Sequence, residues 1–469
     1  MAIPENIEEL SDFLKKSNFE KLPVTISGGG TATTGSRVPF GGAVISMEKF
    51  NRILKISKKD MSATLGAGVM VDELKKAAER EGLFYTCHPT ESSAFVGGTI
   101  STNASGSRSF KYGPTRNYVK RLKMVLADGA VMDLRRGEVF LSRESSKVKM
   151  PGRTEIVVPL PHYRMPDVKS SSGYFAKDGM DLIDLFIGQE GTLSVIVEAE
   201  LALVKRPLKI LSSFVFFNRE EDAWSFAFEA RDLSKKKRAS PGNLMLDALS
   251  IEYFDSNALA ILREAKANIP SNARAAIFFE QETVTGKDGD KVLDEWLGLI
   301  SKHGAPLDDT WVAMNEKEAA KFAEFRHAVP EAVNDLVREY GYHKFSTDIA
   351  VPDGRALEML EFYTGTLRNQ KLRHVMFGHI GESHVHVNIL PRSEEELTAA
   401  REIVLRFVRK GVSVGGAVSA EHGIGKIKHK YLEEMYGTSG VLEMSKIKKA
   451  FDPNCILGLD NIFPRELLK

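Results

Sequence analysis

The segment GHIGESHVHVNIL, residues 378–390, holds three of the chain's eleven histidines, His379, His384 and His386, between apolar flanks. Imidazoles so grouped serve as metal ligands, as general bases or as polar residues on a strand edge. If VHVNIL is a strand, His384, His386 and Asn388 share one face, and the Gly-containing turn before it can bring His379 back beside His386. A second polar cluster, SAEHGIGKIKHK at 419–430, adds Glu421 and His422. Two imidazoles and a carboxylate suit zinc or manganese and leave positions for water or substrate. The spacing by itself matches no standard zinc signature, and each histidine taken singly reads first as a structural or surface residue.

A different chemistry is written in ISGGGTATTGSR, residues 26–37, which follows the strand-like LPVTI and offers backbone N–H groups unshielded by side chains, as a pyrophosphate cradle requires. Two common templates fail there. Ser36 stands where a Walker loop has lysine, and Thr33 breaks the third glycine of G-x-G-x-x-G. A second polar Gly-rich stretch at 88–129 and a third, GQEGTLSVIVEAEL at 188–201, each run into an apolar strand. Three such loops converging would line a large phosphate-bearing ligand.

The elements that position these groups follow from length and texture. A chain of 469 residues exceeds the reach of one core, so about two or three domains are expected. Apolar residues at 43%, charged residues at 27% and a net charge of +1 describe a globular protein with no call for nucleic acid; the basic run SKKKRAS at 234–240 reads as a solvated loop or helix end. No apolar run is long enough to span a bilayer, and MAIPENIEELSDFLKK lacks the features of a signal peptide, so the expected location is the cytoplasm. Cys87 and Cys455 are too few for an iron–sulfur cluster or a Cys-type zinc site. Residues 1–205 alternate Gly-rich turns with short apolar runs, an α+β texture, and MSATLGAGVMVDELKKAAEREGLF predicts strand, turn and an amphipathic helix burying Val71, Leu74, Ala77 and Ala78. Residues 135–179 form a long loop or insertion, either functional or merely flexible. From about 206 longer helical patterns alternate with strands, predicting an α/β domain with an antiparallel sheet and helices on one face.

The three Gly-rich segments resemble the flavin-binding domain of the vanillyl-alcohol oxidase and p-cresol methylhydroxylase family. In that family the first loop, R-G-x-G-T-x-x-x-G, wraps the FAD pyrophosphate, which carries over to Gly28, Gly29, Gly30, Thr31 and Gly35. The second loop carries over to Pro89, Gly97, Gly98, Asn103, Gly106 and Thr115, and the third, G-x-E-G-T-L-x-x-I, to Glu190, Gly191, Thr192 and Ile196. Ser27 replaces an arginine common in the family. The resemblance also implies a shortened start to the first domain, with adenine-side packing missing or supplied by a partner. With no His or Cys in the first loop, the FAD is expected to be non-covalent.

The segments at 378–390 and 419–430 resemble the C-terminal domain of FAD-linked D-2-hydroxyacid dehydrogenases, whose motifs read approximately H-x-G-D-G-N-x-H-x-N and S-x-E-H-G-x-G-x-K. That resemblance implies His379, His386 and Glu421 as ligands of a divalent metal (zinc, manganese or iron), Asn388 as a substrate contact and His422 as catalytic base. His384 stands outside the pattern, as an extra ligand, a residue that orients one, or a hydrogen-bonded or solvent-facing residue. Arg326, in EFRHAVPEAVNDLV, resembles the arginine that binds the substrate carboxylate. Pro330 replaces a threonine of some relatives, and Ser346 a frequent lysine, with Lys344 nearby on the same strand; both departures favour a small acid such as D-lactate over D-2-hydroxyglutarate. FDPNCILGLDNIF at 451–463 resembles a family segment that returns to the flavin domain.

The combined expectation is an α+β protein: a two-part FAD-binding domain of the p-cresol methylhydroxylase type at 1–205, an α/β cap with an antiparallel sheet at 206–435, and a returning segment at 436–469. Its function would be FAD-dependent, metal-assisted oxidation of a small D-2-hydroxyacid, D-lactate favoured, with electrons leaving to an electron-transfer flavoprotein, an iron–sulfur subunit, a cytochrome or a quinone. Such a partner also allows peripheral membrane association. The alternatives are a non-redox enzyme like alkyl-dihydroxyacetonephosphate synthase and a flavin electron-relay subunit.

Overall fold

A computed structural model describes residues 1–468 except 88, 90, 145, 151, 153–154, 241–244, 266–268, 284–286 and 314. Its mixture of helices and strands forms two compact units: Met1–Gly106 with Gly113–Arg206 and Ser419–Lys469, and Ser107–Tyr112 with Pro207–Val418.

In the first unit, five antiparallel strands run in the order Ile53–Ser57, Ser62–Gly66, Ser194–Ala202, Val119–Leu126, Val131–Arg135. A parallel pair, Val24–Ser27 with Ala43–Ser46, stands apart from this sheet. Helix Ile7–Phe19, capped by the Asn6 side chain on the Glu9 N–H, lays Leu10 and Leu14 against Val24, Ile45, Val125 and Val195 to make a core. The helix predicted after Gly68 spans Val71–Arg80 and buries Val71, Leu74 and Ala78, while Ala77 is only half-buried.

The C-terminal segment belongs to this unit. Val24 N–H donates to the Ile456 carbonyl at 2.7 Å, and the Gly458 N–H returns to the Val24 carbonyl at 2.8 Å. Lys448 and Asp452 form a fully buried ion pair, with the ammonium also donating to the carbonyls of Thr192 at 2.6 Å and Leu457 at 2.8 Å. Burial pulls the Lys448 pKa down against the attraction of Asp452. The cap was expected to extend to 435, but residues from Ser419 onward group with the first unit. The reason is local: the Glu190 carboxylate accepts the N–H groups of Ile424 and Gly425, each at 2.7 Å, and Lys426 N–H donates to the Thr34 carbonyl at 2.9 Å.

The second unit is built on a seven-stranded antiparallel sheet: Trp311–Val312, Lys209–Phe217, Ala275–Thr283, Ala248–Phe254, His374–Gly378, His386–Ile389, Phe345–Ser346. Helices cover both of its faces, not one. Phe226 and Trp296, from helices Glu220–Ala239 and Lys287–Lys302, pack on Phe279, Trp296 stacking at 3.7 Å between ring centroids. On the opposite face Leu259 and Leu262 of helix Ser256–Ala265 and Phe325, Val329 and Val333 of helix Glu316–Tyr340 bury Phe214, Phe216, Phe254, Phe278 and Val375. Strands this apolar on both sides need cover on both sides, which the helical patterns on either side of each strand in sequence supply.

Candidate functional site

Register decides which polar groups of the second unit meet. Glu252 lies opposite Phe278, Phe254 opposite Phe377, Phe377 opposite His386, Val375 opposite Asn388, and Asn388 opposite Ser346. Because side chains alternate along each strand, all of these project from one sheet face. The apolar members lie under the two helices named above; Glu252, Glu280, His386 and Asn388 form the polar part of the same face.

The three histidines gather there. His379 follows strand His374–Gly378 and opens the short 3-10 turn Ile380–Glu382, whose chain closes back on it: the N–H groups of Glu382 and His384 donate to the His379 carbonyl at 2.9 and 3.2 Å. Ser383, in the left-handed region at φ 53°, redirects the chain so that His384 enters the bridge with Ala350 and His386 begins the next strand. Ring centroids lie 5.4 Å apart for His379 and His384, 5.7 Å for His379 and His386, and 4.4 Å for His384 and His386. A β-carbon at Gly378, whose φ is +126°, would stand 2.9 Å from His386 Cδ2, so the glycine is what admits that ring.

Each ring has a nitrogen beside an acceptor. His379 Nδ1 is 2.8 Å from Glu252 Oε1, His386 Nδ1 is 2.9 Å from the Thr347 carbonyl, and His384 Nε2 is 3.2 Å from Asp348 Oδ1. An imidazole that donates its N–H outward keeps its lone pair on the other nitrogen, the tautomer a metal ligand needs. One nitrogen from each of the three lies within 4.8 Å of the others. That donor set fits a divalent transition metal. Asn388 is buried in the same strand, and its Nδ2 has no hydrogen-bond partner among the described residues.

Arg326 sits on helix Glu316–Tyr340 with its guanidinium 5.9 Å from the Phe278 ring, over the face that carries Glu252 and His386, and 3.1 Å from His327 Nε2. Lys344 donates to Asn334 Oδ1 at 3.2 Å, and burial lowers its pKa.

Sequence reading missed the strap Ser107–Tyr112. It comes from the Gly-rich second stretch yet groups with the second unit. Arg108 makes a two-pronged pair with Glu280 at 2.8 and 2.9 Å, Ser109 donates to Glu382 at 2.7 Å, and Lys111 pairs with Glu282 and Asp247. Phe110 lies against Gly381, where a β-carbon would stand 3.3 Å from its ring. The strap therefore packs directly on the turn between His379 and His384. Alternating charge in RSFK facing the glutamates of FFEQE was the available signal.

In the first unit the glycine segments converge. A β-carbon on Gly28 would stand 3.9 Å from Gly98 Cα, one on Gly29 would stand 2.7 Å from the Ser93 carbonyl oxygen, and one on Gly97 2.6 Å from Ala67 Cβ. Gly30 and Gly35 take positive φ. The third segment joins through the N–H groups of Gly188 and Glu190, which donate to the carbonyls of Ile100 and Ser101 at 3.0 and 2.8 Å. Such close-packed, amide-rich turns fit a dinucleotide cradle. Several expected cofactor residues have side chains committed elsewhere. Glu190 clamps Ile424 and Gly425, Thr192 is bonded to Gln189 and Tyr174, Ile196 is buried in its strand, and Asn103 caps the Arg116 N–H at 3.0 Å. Thr115 donates to the Ala104 carbonyl at 2.7 Å. Their backbones remain available to meet a ligand. Thr31, Pro89, Gly106 and Gly191 lie within the same converging segments, Gly191 against Ile26. Where Ser27 lacks the arginine, the Arg37 guanidinium stands beside Gly30, within 3.2 Å of where its β-carbon would be.

Glu421 and His422 lie in the same unit, on the loop fixed by Glu190. Thr34 Oγ1 donates to the His422 carbonyl at 3.4 Å. Glu421 Oε1 accepts from Lys169 at 2.7 Å and from Ser105 at 3.1 Å, and both members of the Lys169 pair are buried. Lys169 belongs to the 135–179 stretch, and Ser171 and Ser172 bond the Ser419 carbonyl at 2.8 and 3.0 Å. That end of the insertion is built structure rather than slack chain.

Comparison with known proteins divides the chain differently near its end, the second family model running past Ser419. Residues 1–135 match the family described as FAD binding domain, and 243–459 that of FAD linked oxidases, C-terminal domain. Similar proteins include the glycolate oxidase subunit GlcD of Bacillus subtilis, 27% identical over 99% of this chain and 89% of that one. D-lactate dehydrogenase of Archaeoglobus fulgidus is 29% identical over 97% of this chain and 89% of its own. D-2-hydroxyglutarate dehydrogenase of Stutzerimonas stutzeri is 26% identical over 99% and 90%. Among solved structures an alkyldihydroxyacetonephosphate synthase aligns with a TM-score of 0.63 at 16% identity, over 99% of this chain and 76% of that one, a likeness of fold. Among the described residues no helix is long and apolar enough to cross a membrane.

Proposed function

The chain belongs to the FAD-linked D-2-hydroxyacid dehydrogenases, and from that premise we propose that it oxidises a small D-2-hydroxyacid, D-lactate before the larger dicarboxylates, to the 2-oxoacid with the help of a divalent metal. The observation that carries the metal role is the group of histidines on the polar part of the cap sheet, with a ring nitrogen of His379 and of His386 held by an acceptor.

When bound, FAD supplies the acceptor for the α-hydrogen and its electron pair, and the divalent cation supplies a Lewis acid for the substrate hydroxyl. His379 and His386 hold the cation, with Glu421 as carboxylate ligand. Lys169 and Ser105, both on Glu421 Oε1, fix that carboxylate's orientation. Arg326 binds the substrate carboxylate, Asn388 uses its unpartnered Nδ2 to orient the substrate, and His422 accepts the hydroxyl proton. The glycine-lined turns at Gly28, Gly29, Gly30 and Gly97, Gly98 cradle the pyrophosphate through their amides. The preference for a small acid rests on Ser346 and Pro330, which offer no cation for a second carboxylate. The electrons leave to a separate acceptor, a redox protein or a quinone.

The test is anaerobic reduction of the flavin, followed by its absorbance, with D-lactate, glycolate and D-2-hydroxyglutarate on metal-replete protein. Bleaching by D-lactate at the highest kcat/KM supports the full reading. Bleaching by none of these acids removes it. Metal analysis of His386→Ala tests the metal: loss of cation and of reduction together supports it, and normal reduction by a metal-free protein overturns it.

A further inference from the structure

We infer that Glu190 is a positioning residue for the proposed base: from the third glycine segment it sets where His422 stands, by holding the two amides that close the loop of that base. The inference rests on the reading of His422 as the proton acceptor.

The loop runs through His422, Gly423, Ile424 and Gly425, and the N–H groups of Ile424 and Gly425 donate to the Glu190 carboxylate, one to each oxygen, both at 2.7 Å. Successive amides aimed one way make a concavity that an anion fills. A carboxylate brings two acceptors to it, whereas a glutamine would bring one acceptor and set its own N–H against the other amide. Gly423, at φ +76°, lets the loop close on the clamp, since a β-carbon there would stand 2.8 Å from Glu190 Oε1.

A buried carboxylate on two amides is commonly a staple and nothing more. Two observations go further. Glu190 lies at φ 53°, a conformation costly for a residue with a side chain, and it is pinned there from both sides: its N–H donates to the Ser101 carbonyl at 2.8 Å, and its carbonyl accepts from Asn461 Nδ2 at 2.9 Å. That strain puts the carboxylate at one point of the cradle rather than wherever the loop can be tied. The other holds on the loop fall on either side of the base. The His422 carbonyl accepts from Thr34 Oγ1 at 3.4 Å, the Gly423 carbonyl from Ser419 Oγ at 2.7 Å, and the Gly425 carbonyl from the Ile462 N–H at 2.9 Å. Glu421, the residue before, is held by Lys169 and Ser105. His422 itself is half-buried. With both flanks fixed, its imidazole keeps little freedom beyond its own side-chain torsions, and a displacement of about 1 Å is enough to lower a rate by about 100-fold.

Stopped-flow reduction of the flavin by D-lactate reads the step, on FAD- and metal-replete protein with the pH above the value of about 7 to which burial raises the Glu190 pKa. In Glu190→Gln the limiting rate constant should fall by about 10–100-fold, with FAD retained and half-saturating D-lactate within about 3-fold of wild type. The solvent deuterium isotope effect on that rate constant should rise to at least about twice the wild-type value, because proton transfer to a displaced base becomes slow. Hydrogen exchange at Ile424 and Gly425 should be slow in the wild type and about 10–100-fold faster in the variant, with strand Ser194–Ala202 unchanged. A rate constant within about 3-fold of wild type, a fall that comes with loss of FAD, or an unchanged isotope effect makes Glu190 a staple and overturns the inference. His422→Ala separates the two readings. A loss above about 100-fold there, with normal reduction in Glu190→Gln, removes only the positioning role; normal reduction by His422→Ala removes the base as well. Should Glu190→Gln misfold, Glu190→Asp, which keeps both oxygens but one methylene short, is read by the same measurements. Unprotected Ile424 and Gly425 amides in the wild type overturn the inference without any variant.

Discussion

At Gly97 a β-carbon would stand 2.6 Å from Ala67, whereas on the cap sheet Glu252, His386 and Asn388 fill one face with side chains. The first unit builds its candidate site by leaving side chains out and committing neighbouring polar ones, such as Glu190 and Thr192, to hold the loops. The second builds its site from side chains whose placement is set by strand register and by acceptors behind each ring. A backbone site tolerates almost any change that keeps the loops in place. A side-chain site fails at single residues but is indifferent to much of the loop around it.

The sharpest break of that contrast is on the side-chain unit. His379→Ala should lower metal-dependent flavin reduction by more than about 100-fold while the circular dichroism spectrum is retained, since removing a ligand costs more than loosening one. A loss confined to KM would place His379 outside the chemistry.

In the backbone unit the large effects should be on stability instead. Asp452→Ala leaves the Lys448 ammonium buried without its partner and should cost about 3–5 kcal/mol in urea unfolding. An effect under about 1 kcal/mol would mean that water reaches the lysine.

Glu190 gives the pH dependence of the same unit. Burial raises its pKa to about 7 from the usual 4.5, against the pull of the Ile424 and Gly425 amides. A raised folded-state pKa contributes stability that is present below about 4.5 and lost as pH rises through about 7. The wild type should therefore lose roughly 3 kcal/mol across that interval relative to Glu190→Gln. Parallel stability profiles would contradict the assignment.

Gly97 and Gly98 separate packing from ligand. Gly97→Ala meets Ala67 and should destabilise even the apoprotein by about 1–3 kcal/mol. A β-carbon at Gly98 meets nothing within 4 Å, so Gly98→Ala should leave the apoprotein as stable or up to about 1 kcal/mol more so, while weakening FAD retention. Unchanged FAD affinity would move the cradle away from Gly98. Smallest of all, Arg37→Ala should weaken FAD by less than about 10-fold, and more at low salt, because the guanidinium is exposed.

Sequence made much of this legible. The helix at Val71–Arg80, the antiparallel cap sheet, the converging glycine loops and the pairing of His379 with His386 all follow from patterns with periods of two to four residues. Helices on both cap faces, the boundary at Ser419 and the strap Ser107–Tyr112 did not. Each depends on contacts between segments far apart in the chain, such as Glu190 with Ile424 and Arg108 with Glu280, whose partners no local pattern specifies.

What the sequence determined by itself is the chemistry available: amide-rich turns for a phosphate, clustered imidazoles for a cation, and too few cysteines for a cluster. Tertiary structure alone decided which atoms serve. Glu252 and the Thr347 carbonyl each engage one ring nitrogen of His379 and His386, and Lys169 and Ser105 engage one oxygen of Glu421. Residue type fixes what a group can do, but the nitrogen or oxygen that does it is chosen by a hydrogen-bond partner brought in from a distant part of the chain.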